Sequence, residues 1–218
     1  MKTSAQQAQR PKISTSSRHI EAVDLFCGVG GLSCGLLAAG LKVVAGVDVD
    51  PACAYPFVAN HPGARFLLQD VRTLQAEQLQ SLWSPGAIRL LAGCAPCQPF
   101  SSYSRGSAED HQKWGMLFEF ARLVRQTQPE LVTMENVPGL VGEAPFESFL
   151  TALREGGYHV GHSLVNAADY GVPQHRLRLV LLASRIGPAV LPEPTHAGPG
   201  AWVTVRTALA GFSLVCQF

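Results

Sequence analysis

Apolar residues in this chain come in short runs that alternate between two spacings. Ile20-Glu21-Ala22-Val23-Asp24-Leu25-Phe26 is an apolar run that stops at Gly28-Val29-Gly30-Gly31, the pattern of a strand closed by a glycine turn. Residues 32–39 then read as a helix, with Gly40 as its stop. Residues 42–47 predict a second strand ending at Asp48. Pro51 opens another helical stretch at a first-turn position, where its missing N–H costs nothing. Three more strands are predicted at 65–68, 88–92 and 131–134. Residues 114–126 carry Leu117, Phe120, Ala121 and Val124 on one helical face, and 146–154 predict another helix, closed by Gly156-Gly157. Two last strands are predicted around 158–165 and 177–183. Strands alternating with helices imply an α/β fold, a doubly wound and mostly parallel sheet covered on both faces.

Composition narrows the class. A chain of 218 residues and 23.3 kDa has room for one sizeable domain. Apolar residues at 47% against charged ones at 15% exclude a disordered or solvating chain. Residues 1–18, rich in Gln, Ser and Lys/Arg, read as a disordered leader, and 19–186 as the folded domain. From 187 Pro and Gly dominate (Pro188, Pro192, Pro194, Gly198, Pro199, Gly200), as in a connector. No apolar run is long enough for a bilayer, and the polar N-terminus lacks the apolar stretch of a signal peptide. A cytoplasmic protein without a membrane partner is expected. Net charge +1 argues against a strongly basic nucleic-acid coat, yet leaves room for a local basic groove. The six cysteines are then expected as reduced thiols, any special one being catalytic rather than bridged.

Three segments carry candidate chemistry. The turn Phe26-Cys27-Gly28-Val29-Gly30-Gly31 lets a ligand rest against backbone at a helix N-terminus. Asp48 follows at the end of the next strand, where an acid accepts from ribose hydroxyls, and Asp70 after the third strand is placed toward an adenine. The spacing is not Gly-x-Gly-x-x-Gly, so the ligand reads as a nucleoside without a demanding pyrophosphate, which suits S-adenosylmethionine. A glycine turn that merely packs helix on strand gives the same local pattern.

After the fourth strand comes Gly93-Cys94-Ala95-Pro96-Cys97-Gln98-Pro99-Phe100-Ser101. Its Cys-x-x-Cys admits zinc or redox readings, but a structural zinc site needs a second ligand pair, and no Cys or His pair of suitable spacing occurs elsewhere. A thioredoxin-type pair belongs at a helix start near the first strand, not in a polar loop with two prolines. Cys97 therefore reads as a nucleophile at the carboxyl end of a strand, stiffened by Pro96 and Pro99, with no metal. The following residues 101–110 have the polar, glycine-containing composition of a mobile loop. Glu135 closes the fifth strand at the same edge. In Gln174-His175-Arg176-Leu177-Arg178, the alternation places Gln174, Arg176 and Arg178 on one strand face.

In this order, Asp24-Leu25-Phe26-Cys27-Gly28-Val29-Gly30-Gly31, Asp48, Asp70, Pro96-Cys97-Gln98-Pro99-Phe100-Ser101, Glu135-Asn136-Val137 and Gln174-His175-Arg176-Leu177-Arg178 resemble the cytosine-5 DNA methyltransferases. The resemblance covers residue 20 to about residue 184. It implies the Rossmann-like fold of S-adenosylmethionine-dependent methyltransferases and methyl transfer to carbon-5 of cytosine in double-stranded DNA. Cys97 is the expected nucleophile at carbon-6. Glu135 contacts N3 and the exocyclic amine, Arg176 holds O2, and Asn136, Arg178 and Gln98 complete the catalytic set. Phe26, Gly28, Gly30, Gly31, Asp48, Val49, Asp70, Val71 and Pro96 form the implied cofactor set. The base must be flipped into the pocket, with the 101–110 loop closing over it.

Two departures from the family pattern stand out. An Asp-x-Arg is replaced by His111-Gln112-Lys113. The chain also ends at Phe218, before a target-recognition region and the returning Gly-Asn helix. A catalytic half is therefore expected, either truncated or completed by a second chain carrying target recognition. Methylation of tRNA cytosine, an inactive or regulatory fragment, and a nicotinamide oxidoreductase are the competing readings.

Overall fold

A computed structural model describes residues 19–96 and 115–210. Its sheet has strands β1 (Ile20–Leu25), β2 (Lys42–Asp48), β3 (Arg65–Leu68), β4 (Ile88–Gly93), β5 (Leu131–Asn136), β6 (His159–Asn166) and β7 (Leu177–Ser184). Their spatial order is β3-β2-β1-β4-β5-β7-β6. β1 to β5 pair in parallel, whereas β7 runs antiparallel to both β5 and β6. The ten residues between β6 and β7 include only a single 3-10 turn, Ala167–Tyr170. That is too little chain for a parallel crossover, so the strand returns as a hairpin.

Helices cover both faces. α1 (Gly31–Ala38) and α2 (Ala54–Asn60) lie on one side, over a small core of Ala22, Cys27, Val43, Phe57 and Leu90. On the other, α3 (Ala76–Gln80), α4 (Gly115–Thr127) and α5 (Ala144–Glu155) enclose the larger core, in which Phe120 and Phe149 pack with ring centroids 5.4 Å apart. β1 is buried on both faces at Ala22, Val23 and Leu25 because it lies mid-sheet under both helix layers. The edge strand β6 is largely exposed.

Two details differ from the sequence pattern. β5 extends through Glu135 and Asn136, because β7 pairs with it as far as Asn136 opposite Leu179. Gln174 does not join the strand face: it lies in a bend, its N–H donating to Val172 O at 2.7 Å, and β7 begins only at Leu177. The Pro/Gly-rich segment after β7 runs back along the hairpin. Asp169 holds it there, accepting from Trp202 Nε1 at 2.7 Å and through its carbonyl from His196 N at 2.8 Å. A short α6 (Val205–Leu209) follows, capped by Thr204.

Candidate active site

The carboxyl ends of β1, β2, β4 and β5 carry the predicted residues. At the end of β1, Phe26 has φ +57°, a strained value for a side chain with a Cβ. Gly28 (φ +53°) and Gly30 (φ +94°) follow, and Gly31 opens α1. Such a turn reverses the chain within four residues only because two of them lack a Cβ. A Cβ built at Gly28 or Gly31 meets no atom of the described residues within 4 Å, so both backbones are open to a ligand. At Gly30 a Cβ would collide with the His61 ring.

The implied cofactor set is only partly free. Asp48 accepts from Gly28 N at 2.8 Å through one oxygen and from Asp50 N at 3.0 Å through the other. It therefore braces the turn, and each oxygen has one further acceptor site. Asp70 is clamped by Arg72, whose Nε lies 3.1 and 2.9 Å from its two oxygens. The Arg72 side chain, then the Arg72 N–H, hold that carboxyl below its usual value. Val49 is exposed at the same edge and Pro96 is exposed after β4. Val71 instead packs into the larger core, so its side chain serves packing. These residues fit a nucleoside cofactor such as S-adenosylmethionine: bare glycine backbone at a helix N-terminus, an acid one strand away, and an exposed apolar rim.

Glu135 sits one β-pair away. It lies opposite Val180 in the β5–β7 ladder, so the arginine two positions back in β7 projects from the same face, within diagonal reach. Arg178 Nε lies 3.0 Å from Glu135 Oε1, and Arg176 Nη2 lies 3.6 Å from the same oxygen. Arg178 is also fixed by its Nη1, which donates to Leu177 O at 2.7 Å. Arg176 is the more exposed of the two. The neighbouring Asn136 is buried, and its Nδ2 donates to Ala95 O at 3.0 Å, tying β5 to the segment leading into residue 97. Cys97 and Gln98 lie outside the described residues, as do the 101–110 loop and His111-Gln112-Lys113.

Sequence reasoning gave no role to Cys94, Asp24, Ser33 or His61. Cys94 follows β4 and sits beside Glu135. Burial, then the Glu135 charge, push its thiol up to about 12, so it remains protonated near neutrality. Asp24 is buried on β1, and its Oδ2 accepts from Ser33 Oγ at 2.7 Å across to α1. His61 is buried after α2 beneath Gly30, its ring stacked on Phe57 with centroids 4.5 Å apart. A polar residue amid apolar positions, as Asp24 is in β1, was the available signal.

The comparisons with known proteins agree with this geometry. A family model described as C-5 cytosine-specific DNA methylase matches residues 20–197. Type II methylase M.HgiDII of Herpetosiphon aurantiacus is 42% identical over 195 residues, which are 88% of this chain and 54% of that protein. Type II methyltransferase M.AquIA of Picosynechococcus is 33% identical, over 81% of this chain and 77% of the relative. The chain spans about half the length of most curated relatives it matches. Among solved structures, a protein described as a DNA modification methyltransferase encoded within an E. coli prophage superposes with TM-score 0.69 at 27% identity. That match covers 90% of this chain and 56% of the other. The S. pombe Dnmt2 methyltransferase, at 21% identity and TM-score 0.65, shares the fold. With the family model spanning four-fifths of the sequence, and the glycine turn, Glu135 and the paired arginines at one sheet edge, the chain belongs to the C-5 cytosine-specific DNA methylases.

Proposed function

We propose that this chain is the cofactor-binding and catalytic part, residues 19–186, of a methyltransferase acting on carbon-5 of cytosine in double-stranded DNA. The supporting observation is the convergence of Arg176 and Arg178 on Glu135, with Asn136 holding the approach to Cys97. When bound, S-adenosylmethionine supplies an electrophilic methyl group.

The residues of the chain do the rest. Carbon-5 of cytosine is too weak a nucleophile unaided, and a Cys97 thiolate adding at carbon-6 turns the ring into an enamine. Glu135 hydrogen-bonds N3 and the exocyclic amine, balancing charge as the sulfur adds. Arg176, the looser of the two arginines, is free to swing to O2 and stabilise the charge that develops there, while Arg178 keeps Glu135 aimed. Water removes the carbon-5 proton, and Cys97 then leaves. Phe26 packs against the cofactor's apolar part, the Gly28 and Gly30 backbones approach it closely, and Asp48 accepts from its ribose. A stacked base cannot reach this edge, so the cytosine is extruded from the duplex.

Recognition of the DNA sequence is assigned to the half of the relatives that this chain does not match, in a longer chain or in a second one. The site of action is the cytoplasm, at the nucleoid. Among the described residues no helix is long and apolar enough to cross a membrane. Transfer of labelled methyl from S-adenosylmethionine to duplex DNA tests the reading, with 5-methylcytosine as the expected product. Label found on adenine, on protein or on RNA alone would overturn it.

A further inference from the structure

Arg176 stands immediately before β7, and Gln174, His175, Arg176 and Leu177 are all exposed among the described residues. Burial in the core therefore does not place this arginine. One turn holds its backbone instead. Arg176 N–H donates to Asn166 Oδ1 at 3.0 Å, and its carbonyl accepts from Ala167 N–H at 2.9 Å. Asn166 is the cap of the 3-10 turn Ala167–Tyr170.

The same turn also grips the segment after β7. The Asp169 carboxylate accepts from Trp202 Nε1 at 2.7 Å and from Gly198 N at 3.3 Å, while its carbonyl accepts from His196 N at 2.8 Å. Gly171 ends the turn at φ +84°, and a Cβ there would come within 3.0 Å of the His196 ring. Held in this way, the Trp202 ring meets the His175 ring edge-on, with centroids 5.1 Å apart, a favourable geometry for an aromatic pair. His175 directly precedes Arg176. The arginine is thus steadied through its own backbone by Asn166 and through its neighbour's ring by Trp202.

We propose that Asp169 and Trp202 are positioning residues for Arg176: the segment after β7, through the Trp202 ring on His175, keeps that arginine within reach of Glu135 and of the cytosine O2. The O2 part rests on the reading of the site given above. The contact falls beside the looser of the two arginines, the one 3.6 Å from Glu135, whereas Arg178 is fixed within β7 opposite Val165 and binds Glu135 at 3.0 Å. The indole is aimed by a hydrogen bond to a carboxylate, a stronger and more directional hold than contact of apolar surfaces. A segment that only led away from the domain would need neither the bond nor the ring contact.

Three variants of the full chain test this. Asp169→Ala removes the acceptor, Asp169→Asn keeps an acceptor oxygen, and Trp202→Ala removes the ring. Backbone nitrogen relaxation reads the placement without substrate. Order parameters at His175 and Arg176 should fall from about 0.85 toward about 0.6 in both alanine variants, and stay level in Asp169→Asn. Arg178 should stay level in all three, as the internal reference. Unchanged values at His175 and Arg176 in both alanine variants, or an equal loss at Arg178, overturn the positioning role. Methyl transfer to duplex DNA reads the consequence. In the alanine variants kcat should fall roughly tenfold or more, with KM for S-adenosylmethionine unchanged, as misplacement of a reacting group does. Asp169→Asn should restore kcat. An unchanged kcat in the alanine variants, or the same loss in Asp169→Asn, overturns the link to catalysis. If the unsubstituted chain transfers no methyl group, the reading of the site fails, while the hold of Trp202 on Arg176 still stands or falls on the relaxation data.

Discussion

Glu135 draws support from two arginines, Arg178 in β7 and Arg176 just before it, and these are not equivalent. Arg178 is bound at 3.0 Å and anchored to its own backbone, whereas Arg176 approaches to 3.6 Å and remains more exposed. Glu135→Gln should lower kcat by roughly 100-fold or more, the usual weight of a proton-handling group. Arg178→Ala should act by misplacing Glu135, lowering kcat with little change in DNA affinity. Arg176→Ala should lower kcat by removing charge stabilisation at O2, and steady-state kinetics on a DNA duplex checks each. Much of this site was legible, because Glu135, the arginines and the glycine turn sit in short, ordered segments. Four features were not. The Asp24–Ser33 and Gly30–His61 contacts join residues from β1, α1 and the end of α2, and no spacing in the chain announces them. Asp70, read from sequence as placed toward an adenine, is also held by Arg72 two residues on. Val71, in the cofactor set that the resemblance implies, has its side chain in the larger core.

Elements were read well wherever a periodicity ran uninterrupted, as in α4, whose Leu117, Phe120, Ala121 and Val124 are all buried. Strand direction was not readable. The antiparallel insertion of β7 between β5 and β6 is decided by the short 3-10 link and by pairing across the sheet, neither of which leaves a local pattern. Close packing within elements gives its own predictions. A Cβ at Gly46 in β2 would collide with the Phe57 ring and crowd Cys27 Sγ. Gly46→Ala should therefore cost about 1–3 kcal/mol, as overpacking does, read as a lower Tm. At the opposite edge of the sheet, Arg89 binds both oxygens of Glu130 and donates to the carbonyls of Thr127 and Gln128. Arg89→Ala should cost roughly 1.5–3 kcal/mol, the scale of charge-assisted hydrogen bonds, measured by urea unfolding.

Across the whole molecule two buried acids pull stability in opposite directions with pH. Burial alone would raise Glu21, but hydrogen bonds from Lys42, from Ser84 N–H and hydroxyl, and from His19 outweigh it and hold it at about 2 against 4.5. A carboxyl held below its unfolded value adds stability above pH 4.5 that is lost as pH falls toward 2. Asp24 is the reverse. Its carboxyl is raised from 3.8 to about 6, so the native state favours the proton, and stability declines as pH climbs through that interval. Thermal melts across pH should therefore peak between about 3.8 and 4.5 for these two groups and fall from there to about 6. Glu21→Gln should flatten the acid side, and Asp24→Asn the decline toward neutral pH.

Covalent chemistry by Cys97 on an extruded cytosine can be trapped with a duplex carrying 5-fluorocytosine at methylation sites. Fluorine blocks loss from carbon-5, so a cysteine that has added at carbon-6 cannot leave. With S-adenosylmethionine present, a denaturation-resistant complex should form whose mass equals chain plus methylated oligonucleotide, with the cross-link on the Cys97 peptide. Cys97→Ser should form none. An equal complex with Cys97→Ser, or none from a preparation that methylates ordinary DNA, would contradict it.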